Sequence, residues 1–579
     1  MPDKEIAVAT SENAAEAIAG PQLRGSGSGD SAASGRTAFD LRRTGPMDML
    51  GRYAGMLALV ALLPTCIAAA DDLTLFDETQ ATTLFAFDDV SIPFTQNLKL
   101  QMRSPERHSA NPVVQRGPDG TVDSWAVQFY GSVVREPQSG RFRMWYVAVS
   151  KAERAEEKSR PSVPWRVAYA ESPDGVQWTK PNLGLVESGG NSNNNLVKLD
   201  PQLGVLNLKV LHEPSDPNPD HRYKMGAHVW YPKNDRRNGT LAPFVSADGL
   251  NWKLLSDAKP VNGEMPEFAT VVPPLHFEPV GGLYKWDGLY YLSGQNAIFA
   301  ARPYHGRVSR TYASADFANW TQASAIQFVR SPQHDLLGPG KSRIGEQTHE
   351  GISIWNRRNV LVGISGMWHG TAEWEDLTID LGFVVSNDGV HFREPAHEHV
   401  FLKRGDDGDW DAGGLLQAQG FENVGDKTFL FYGAWDPRVW EKSPQRGGVG
   451  IAVLPRDRFA DLVVDKTTEG PGDYQMKNTV SSFLTAALPM KAGRHRFYVN
   501  ADGLSDDARL KIELLDNRLS PIPGMSGTSA AVVSDSGFQT PIVWKGKHEI
   551  SDLPDRVRVK VTFERAANTK IRFSALYVR

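Results

Sequence analysis

The sequence predicts an all-β protein, built as a five-bladed β-propeller over residues 80–466 and a C-terminal β-sandwich over residues 470–579. Three observations support this prediction. A short box of residues returns at a fixed period, runs of β-branched and aromatic residues flank each box, and the pattern changes after Asp465. Together they indicate an array of like β units followed by a different β domain.

The repeated box has the form Ser-x-Asp-Gly-x-x-aromatic in its best copies. Successive copies start between 68 and 74 residues apart, at Ser172, Ser246, Ser314, Ser386 and, in a worn copy, Pro455. A β-branched or aromatic run precedes the box, and a short strand carrying the aromatic residue follows it. The box is therefore predicted to be the hairpin turn between the third and fourth strands of each unit.

The residue types of the box suit a turn. Its Asp can accept backbone N–H bonds, its Gly can take a positive φ, and its aromatic ring can wedge between neighbouring sheets. The repeated carboxylates are therefore predicted to be structural and not catalytic. They are Asp174, Asp248, Asp316, Asp388 and Asp457.

The composition agrees with a soluble, turn-rich β protein. The 579 residues include 53 Gly and 37 Pro, and 40% of them are hydrophobic. The net charge of −5 offers no basic footprint, so no nucleic-acid partner is expected. A small neutral or weakly charged partner is favoured.

The N-terminal residues are predicted to lie outside the folded protein. Residues 1–46 are rich in Ala, Gly and Ser, which predicts a disordered extension or a true start at Met47. Residues 47–70 have the layout of a signal peptide, with Arg52 ahead of the apolar run Ala54–Leu63. Because that run is too short to span a membrane, the protein is predicted to be periplasmic or extracellular. Cys66, the one cysteine, lies in this segment, and a lipid anchor on it is the alternative.

Each unit is predicted to contain four strands, of which the first lines the central axis. The predicted first strands are Ser124–Val134, Leu206–Leu211, Gly281–Trp286, Glu350–Trp355 and Leu415–Gln419. The early strand Leu84–Phe87 is expected to pair with the last unit, since an open ring would expose sheet edges. After residue 470, alternating strands continue at sandwich spacing without the box.

Several stretches resemble bacterial secreted proteins related to glycoside hydrolase family 32. In the predicted propeller these are Phe142–Tyr146, Ser172–Leu185, Asn193–Leu196, Asp409–Asp411 and Leu454–Phe459. In the terminal domain, Ile512–Asp516 and Pro541–Trp544 resemble the sandwich that follows the propeller in those proteins. The resemblance covers residues 80–579 and implies a secreted hydrolase that acts on an oligo- or polysaccharide through an axial funnel.

Glycosidases of this fold use a protonated carboxyl group as general acid and an ionised carboxylate as nucleophile or base. Four carboxylates lie where predicted first strands begin: Glu350, Glu278, Asp411 and Asp123. Glu350 and Glu278 resemble the stretch that carries the general acid in the wider group of five-bladed propeller glycosidases, and Glu350 is favoured because His349 and Glu346 make its surroundings more polar. Asp411 or Asp123 is the candidate partner. The alternatives are solvated loop residues for the two Glu and strand caps for the two Asp.

The resemblance has departures that bear on the substrate. Family 32 enzymes have an Asn-Asp-Pro-Asn stretch and a Glu-Cys pair, and this chain has neither; its nearest relative of the family's Arg-Asp-Pro motif is Arg135–Pro137, predicted to be a turn. Fructosidase activity is therefore not expected. The residues predicted to bind substrate, or else to pack between blades, are Trp125, Gln128, Glu346, His349 and Trp368.

The His residues do not fall into a metal-ligand spacing, so no cofactor is expected, although a structural calcium ion at the axis is left open. Two other functions are compatible with the sequence. One is a propeller that binds carbohydrate without turnover, and the missing family 32 motifs favour it. The other is a propeller that binds a protein partner.

Overall fold

The computed structural model describes residues 76–152, 165–233, 236–255, 259–260, 264–266, 278–296, 307–330, 344–371, 373–436, 447–465, 480–565 and 569–579. The predicted extension 1–46 and the predicted signal peptide 47–70 lie outside these residues. The described part of the chain contains no helix with the length and apolar character needed to cross a membrane. It is all-β, as the sequence predicts.

The described residues form thirty-three strands, with short 3₁₀ turns at Glu78–Gln80, Pro219–His221, Trp374–Asp376 and Gly527–Ser529. The first strands along the chain are Thr82–Phe85 (β1), Phe94–Gln96 (β2), Leu98–Met102 (β3), Glu106–Arg107 (β4) and Val114–Gln115 (β5). There follow Ala126–Arg135 (β6), Phe142–Val149 (β7), Arg166–Ser172 (β8), Lys198–Asp200 (β9), Asn207–His212 (β10), Tyr223–Lys233 (β11), Arg236–Ser246 (β12) and Asn251–Leu254 (β13). The next are Glu278–Trp286 (β14), Leu289–Asn296 (β15), Val308–Ser314 (β16), Ala325–Phe328 (β17), Gly345–Asn356 (β18), Leu361–Gly370 (β19), Thr378–Ser386 (β20), Val400–Leu402 (β21), Leu415–Val424 (β22), Lys427–Ala434 (β23), Gly448–Pro455 (β24) and Ala460–Val464 (β25). The last are Ser481–Leu484 (β26), Leu488–Pro489 (β27), Phe497–Asp502 (β28), Ala508–Asp516 (β29), Ala531–Val533 (β30), Gly537–Pro541 (β31), Arg556–Arg565 (β32) and Arg572–Val578 (β33).

Strands β6 to β24 form five antiparallel units of consecutive strands. Unit one is β6-β7-β8, unit two is β10-β11-β12-β13 with β9 parallel to β13, unit three is β14 to β17, and unit four is β18 to β21. Unit five is β22-β23-β24. The short strands β4 and β5 both pair with β24 and together occupy the outermost position of this unit. The repeat period seen in the sequence is therefore the repeat of these units.

The first strands of the five units contact one another in a closed series. Strand β6 contacts β10, β10 contacts β14, β14 contacts β18, β18 contacts β22, and β22 returns to β6. The β22 and β6 strands also share a parallel backbone pairing, between Gln419 and Ser132. The first strands of the five units thus form one continuous series of contacts.

The ring is not closed by the strand that the sequence suggests. The expectation that Leu84–Phe87 pairs with the last unit is wrong, because β1 pairs with β33 at the C-terminal end of the chain. The short strands β4 and β5 cover the edge of unit five instead. Leu84 is fully buried in the C-terminal core. Its apolar character predicted burial correctly, but apolar character does not specify a pairing partner.

The predicted turn chemistry is confirmed in four of the five boxes. The Asp174 carboxylate accepts the backbone N–H groups of Val176 at 2.8 Å and Gln177 at 2.7 Å. The same pattern recurs at Asp248, Asp316 and Asp388. In the worn fifth box the Asp457 carboxylate instead binds the buried Arg357 guanidinium through two hydrogen bonds, at 2.6 and 3.0 Å.

The last part of the chain forms two further sheets around one core. One sheet has the order β3-β25-β33-β28-β31 with β1 on β33, and the other has the order β2-β26-β32-β29-β30 with β27 on β32. Burial alternates along β32, which fits one buried and one solvated face, whereas every residue of β7 is buried. Strands β1, β2, β3 and β25, from the segment predicted as propeller, complete these two sheets.

Candidate active site

Four of the five first strands carry a β-bulge of two extra residues. The register shifts between Gln128 and Ser132 in β6, between Glu278 and Gly282 in β14, between His349 and Ile352 in β18, and between Gln417 and Phe421 in β22. Bulges re-aim side chains and are frequent beside active sites. The shared position of these four bulges locates the candidate site at the centre of the five units.

Neighbouring bulges pack closely because glycine leaves room for them. A Cβ on Gly281, in the β14 bulge, would lie 2.5 Å from the backbone nitrogen of Ile352 and 2.8 Å from the carbonyl oxygen of Glu350. A side chain at Gly281 would therefore push the β18 bulge out of position. Unit three thus supports the backbone on which Glu350 is held.

Glu350 lies in the β18 bulge with a left-handed backbone, at φ 59°, beside Gly351 at φ 78°. This conformation is uncommon for a residue other than glycine and is found where surrounding contacts enforce it. The Glu350 N–H donates to Gln295 Oε1 at 3.0 Å, and Gln417 Nε2 donates to the Gly351 carbonyl at 3.0 Å. The Glu350 side chain is 12% exposed. Units three and five therefore fix a mostly buried carboxyl group.

Lys209, in β10, supplies a buried amine whose charge interacts with that of Glu350. Its Nζ donates to the Tyr130 carbonyl and to the Gln417 carbonyl, the latter at 3.3 Å. Burial lowers the pKa of Lys209 well below its ordinary value, and the charge of Glu350 opposes that shift. The two groups therefore interact electrostatically inside the protein, where screening by water is weak.

Aromatic rings surround His349, whose imidazole is close to the Glu350 carboxyl group. His349 Nε2 lies 3.5 Å from Glu350 Oε1, and Tyr130 Oη lies 3.4 Å from His349 Nδ1. The His349 ring stacks on Trp435 with centroids 5.9 Å apart, and its centroid is 5.2 Å from that of Trp368. Units one, four and five thus contribute rings around His349, and both His349 and Trp368 are buried, which fits packing between the units.

Asp411 and Asp123 occupy equivalent positions ahead of the first strands of units five and one. Asp411 is buried and accepts hydrogen bonds at 2.9 Å from Tyr432 Oη and Arg107 Nε. Asp123 is also buried and accepts one at 2.9 Å from Tyr146 Oη and another from Lys180 Nζ.

In both cases a tyrosine of the second strand and one cation hold the carboxylate at its own unit. These contacts match the strand-capping alternative.

The remaining predicted residues are dispersed. Gln128 is buried and donates to the Leu206 carbonyl at 2.8 Å and to Asn207 Oδ1, so it joins unit one to unit two. Trp125 is half-buried immediately before β6. The backbone of Glu278 pairs with Gln295 at the start of β14, and its side chain lies outside the described residues.

Glu346 belongs to a second polar cluster, at the start of β18. Its carboxylate lies 2.5 Å from an Arg330 guanidinium nitrogen and 2.9 Å from His369 Nδ1. His369 Nε2 lies 3.1 Å from Asp380 Oδ2, which in turn pairs with Arg404 at 3.1 Å. Burial works against the protonated form, but the hydrogen bond to Asp380 and the charge of Glu346 outweigh it, so the pKa of His369 is raised.

Stability is expected to depend on pH through His369. Because its folded-state pKa is raised above the unfolded value of about 6.5, its contribution is fully present below that value and is lost as the pH rises through the folded pKa. Urea unfolding at pH 5.5 and 8.5 should show a larger loss of unfolding free energy in the wild type than in His369→Gln. Asp380→Asn should weaken the dependence in the same direction. Equal losses in the wild type and His369→Gln would contradict this role.

Among the residues that the structure describes, one group of side chains has ligand atoms close enough together to hold a metal ion. The ligand atoms of Glu394, His397 and Glu398 lie within 4.8 Å of one another. However, Glu398 already pairs with Arg330 at 2.7 Å, and the His397 side chain is exposed. A guanidinium therefore occupies the position next to one of the carboxylates, and we assign no metal to this group.

Three groups that surround Glu350 were not predicted from the sequence: Lys209, Gln295 and Gln417. Lys209 carried a usable signal, because it interrupts the apolar run Leu206–Leu211 at a position expected to line the axis. Gln295 is in a second strand, and Gln417 resembles other polar residues of first strands. Nothing in their spacing distinguished them.

Comparison with known proteins finds similarity only at the level of structure. No protein-family model matches the chain, and no curated protein matches it. One similar structure concerns the GH130 family of mannoside phosphorylases, said to contain glycoside hydrolases that target beta-1,2 mannosidic linkages in Candida mannan. It is 15% identical with a TM-score of 0.39, over 62% of this chain and 95% of the other.

Two further structures give the same range of similarity. A glycosyl hydrolase from Bacteroides ovatus is 16% identical with a TM-score of 0.38, over 62% of this chain and 95% of that one. A Penicillium chrysogenum alpha-L-arabinanase complexed with arabinobiose is 9% identical with a TM-score of 0.34, over 61% and 98%. With TM-scores below 0.5, neither a family nor a substrate for this chain follows from these similarities.

Proposed function

We propose that the five units are the blades of a five-bladed β-propeller and that the two C-terminal sheets form a β-sandwich. The closed series of contacts among β6, β10, β14, β18 and β22 supports the first part. The core shared by the two terminal sheets supports the second. In such a propeller the first strands surround an axial funnel, and Glu350 lies on one of them.

We infer that the protein is a glycoside hydrolase that acts on an oligo- or polysaccharide, with Glu350 as the general acid. The observation that carries this proposal is the bulge that holds the mostly buried Glu350 carboxyl group 3.5 Å from His349, whose ring packs against Trp368 and Trp435. A general acid must be protonated when substrate binds.

The ionised partner in this proposal is Asp411 or Asp123, with Glu278 as the further candidate. A tyrosine hydroxyl and a cation bind each of the two Asp carboxylates. Export through the segment 47–70, to the periplasm or the outside of the cell, is also part of the proposal and is supported by the sequence pattern.

The proposal is tested by comparing wild type with Glu350→Gln on aryl glycosides, mannan, arabinan and other plant or algal polysaccharides. Wild type should cleave at least one of them, and Glu350→Gln should cleave the same polymer about 10²–10⁴-fold more slowly, because an amide cannot donate the proton. His369→Gln, in the neighbouring polar cluster, is the matched control for folding and should retain most activity. Equal cleavage of the polymer by wild type and Glu350→Gln would rule out the assignment.

A propeller that binds carbohydrate without turnover is the second candidate. It is favoured by one observation, namely that both Asp411 and Asp123 are bound within their own units. In that case wild type would bind polysaccharide in an affinity gel and release no reducing sugar from any member of the panel. Reducing-sugar release by wild type would exclude it.

A further inference from the structure

A cavity of about 640 Å³ lies at the hairpin turns of units three and four. It is lined by Thr79, Gln80, Trp286, Asp287, Asn356 and Arg358. Trp286 is the last residue of β14, and Asn356 is the last residue of β18. Glu350 precedes Asn356 by six positions on the same strand, which corresponds to roughly 20 Å at the usual rise of a strand. The cavity is therefore separate from the candidate active site.

Trp286 gives this cavity a fixed aromatic wall. The residue is half-buried and packs against the box turn of unit four. A Cβ on Gly389, in that turn, would collide with the indole ring. The glycine thus lets the ring lie directly on the turn, and the ring is held in one orientation before any ligand binds.

The polar groups of the cavity are also held in place. Asn356 Nδ2 donates to the Lys285 carbonyl at 2.7 Å, and its Oδ1 accepts the Arg358 N–H at 2.8 Å. The Arg358 guanidinium donates to the Gln80 carbonyl at 2.5 Å. Asp287 is exposed, in a left-handed turn at φ 46°, and forms no ion pair with any residue that the structure describes. An exposed carboxylate, a guanidinium and an amide therefore stand around the indole.

We propose that this cavity is a second saccharide-binding site, which takes one or two neutral sugar residues of a polysaccharide chain. An indole offers an apolar face for the C–H side of a sugar ring, and the surrounding polar groups can bond its hydroxyls. The nearby opposite charges of Asp287 and Arg358 favour a neutral ligand over a charged one. The volume is within the usual range of small-molecule sites.

The site would anchor a polymer while the candidate active site acts on another part of it. This role rests on the proposed function, because it assumes a polysaccharide substrate. Binding at the cavity itself does not require turnover. The two proposals can therefore fail separately.

The test is affinity gel electrophoresis of the full chain in gels that contain linear arabinan, galactomannan or laminarin as neutral probes. Wild type should be retarded by at least one of them, and Trp286→Ala should bind that polymer at least about tenfold more weakly. Trp286→Phe should keep most of the retardation. Phe94→Ala removes an exposed aromatic side chain from the C-terminal sheets and should behave as wild type.

A second variant guards against a folding defect in Trp286→Ala. Asp287→Gly removes the carboxylate, and glycine tolerates the left-handed turn. It should weaken binding severalfold without changing the circular dichroism spectrum. Polygalacturonate in the gel provides the charged comparison and should retard the protein less than the neutral polymer does.

Turnover separates this inference from the proposed function. Trp286→Ala should hydrolyse a small aryl glycoside as wild type does, and Glu350→Gln should keep its retardation in the gel. If wild type binds the polymer through Trp286 but hydrolyses no substrate, the proposed function is wrong and the second site is still supported. The second site is overturned if no neutral polymer retards wild type, or if Trp286→Ala and Asp287→Gly both bind as wild type does.

Discussion

Replacing Asp457 with Asn is expected to lower the free energy of unfolding by about 3–5 kcal/mol. Asp457 and Arg357 are both fully buried and are joined by two hydrogen bonds, at 2.6 and 3.0 Å. Burial alone would raise the pKa of Asp457, but the Arg357 guanidinium outweighs burial and lowers it. The substitution would leave a guanidinium charge buried without its counter-charge.

Asp457 also joins parts of the fold that are distant in sequence. Its carboxylate accepts hydrogen bonds from Tyr577 Oη at 2.9 Å and from Asn423 Nδ2 at 3.1 Å. Tyr577 belongs to β33, and Asn423 belongs to β22 of unit five. The loss of this one carboxylate therefore removes hydrogen bonds to units four and five and to the C-terminal sheets.

The measurement is urea unfolding, followed by circular dichroism, with Asp248→Asn as the matched control. Asp248 holds the same position in the box of unit two, where its carboxylate accepts two backbone N–H bonds. Since an Asn side chain can accept the same bonds, that variant should lose less than about 1 kcal/mol. A double variant, Arg357→Met with Asp457→Leu, should be more stable than Asp457→Asn, because it removes both charges. Equal losses for Asp457→Asn and Asp248→Asn would contradict the importance of the buried pair.

Glu350→Gln is expected to retain more activity on substrates with a good leaving group than on a natural glycan. A leaving group such as dinitrophenolate departs without a proton. The general acid is therefore needed for a natural glycan and much less for a dinitrophenyl glycoside. The rate on the polymer should fall about 10²–10⁴-fold, while the rate on the dinitrophenyl glycoside should fall far less. The measurement is kcat/KM for both substrates with both proteins.

The same experiment distinguishes the general acid from the nucleophile. A variant that lacks the nucleophile should lose both substrates to a similar extent, since bond formation to the sugar is then missing whatever the leaving group. Asp411→Asn and Asp123→Asn serve as the comparison, with unfolding measured in parallel because both side chains are buried. If Glu350→Gln loses the two substrates equally, Glu350 is not the general acid.

The periodic features of the fold could be predicted from the sequence because they are local. The box Asp residues accept bonds from backbone groups two and three positions ahead, so the spacing within the box was enough to assign them. Asp457 shares the box position but binds Arg357, 100 residues away. The sequence alone indicated a structural role for Asp457, and it gave no information about this partner.

The site could be predicted only in part, for the same reason. His349 and Glu350 are adjacent in sequence, and Trp368 is in the strand paired with theirs, so their proximity follows from one hairpin. Lys209 interacts electrostatically with Glu350 and belongs to a different unit. The position of the bulges depends on packing between units. A pairing between distant strands leaves no periodic trace, which is also why the partner of Leu84–Phe87 was mispredicted.

The pairing of β1 with β33 has a consequence for the order in which the chain can fold. Thr82 pairs with Val578, so β1 cannot pair until β33 has been synthesised. Strands β4 and β5 likewise cannot pair with the edge of unit five until its strand β24 has been synthesised. Such long-range pairings are slow to form, because a large loop must close before the contact is made. A chain that lacks β33 would therefore hold five nearly complete units and a terminal core without the strand that pairs with β1, β25 and β28.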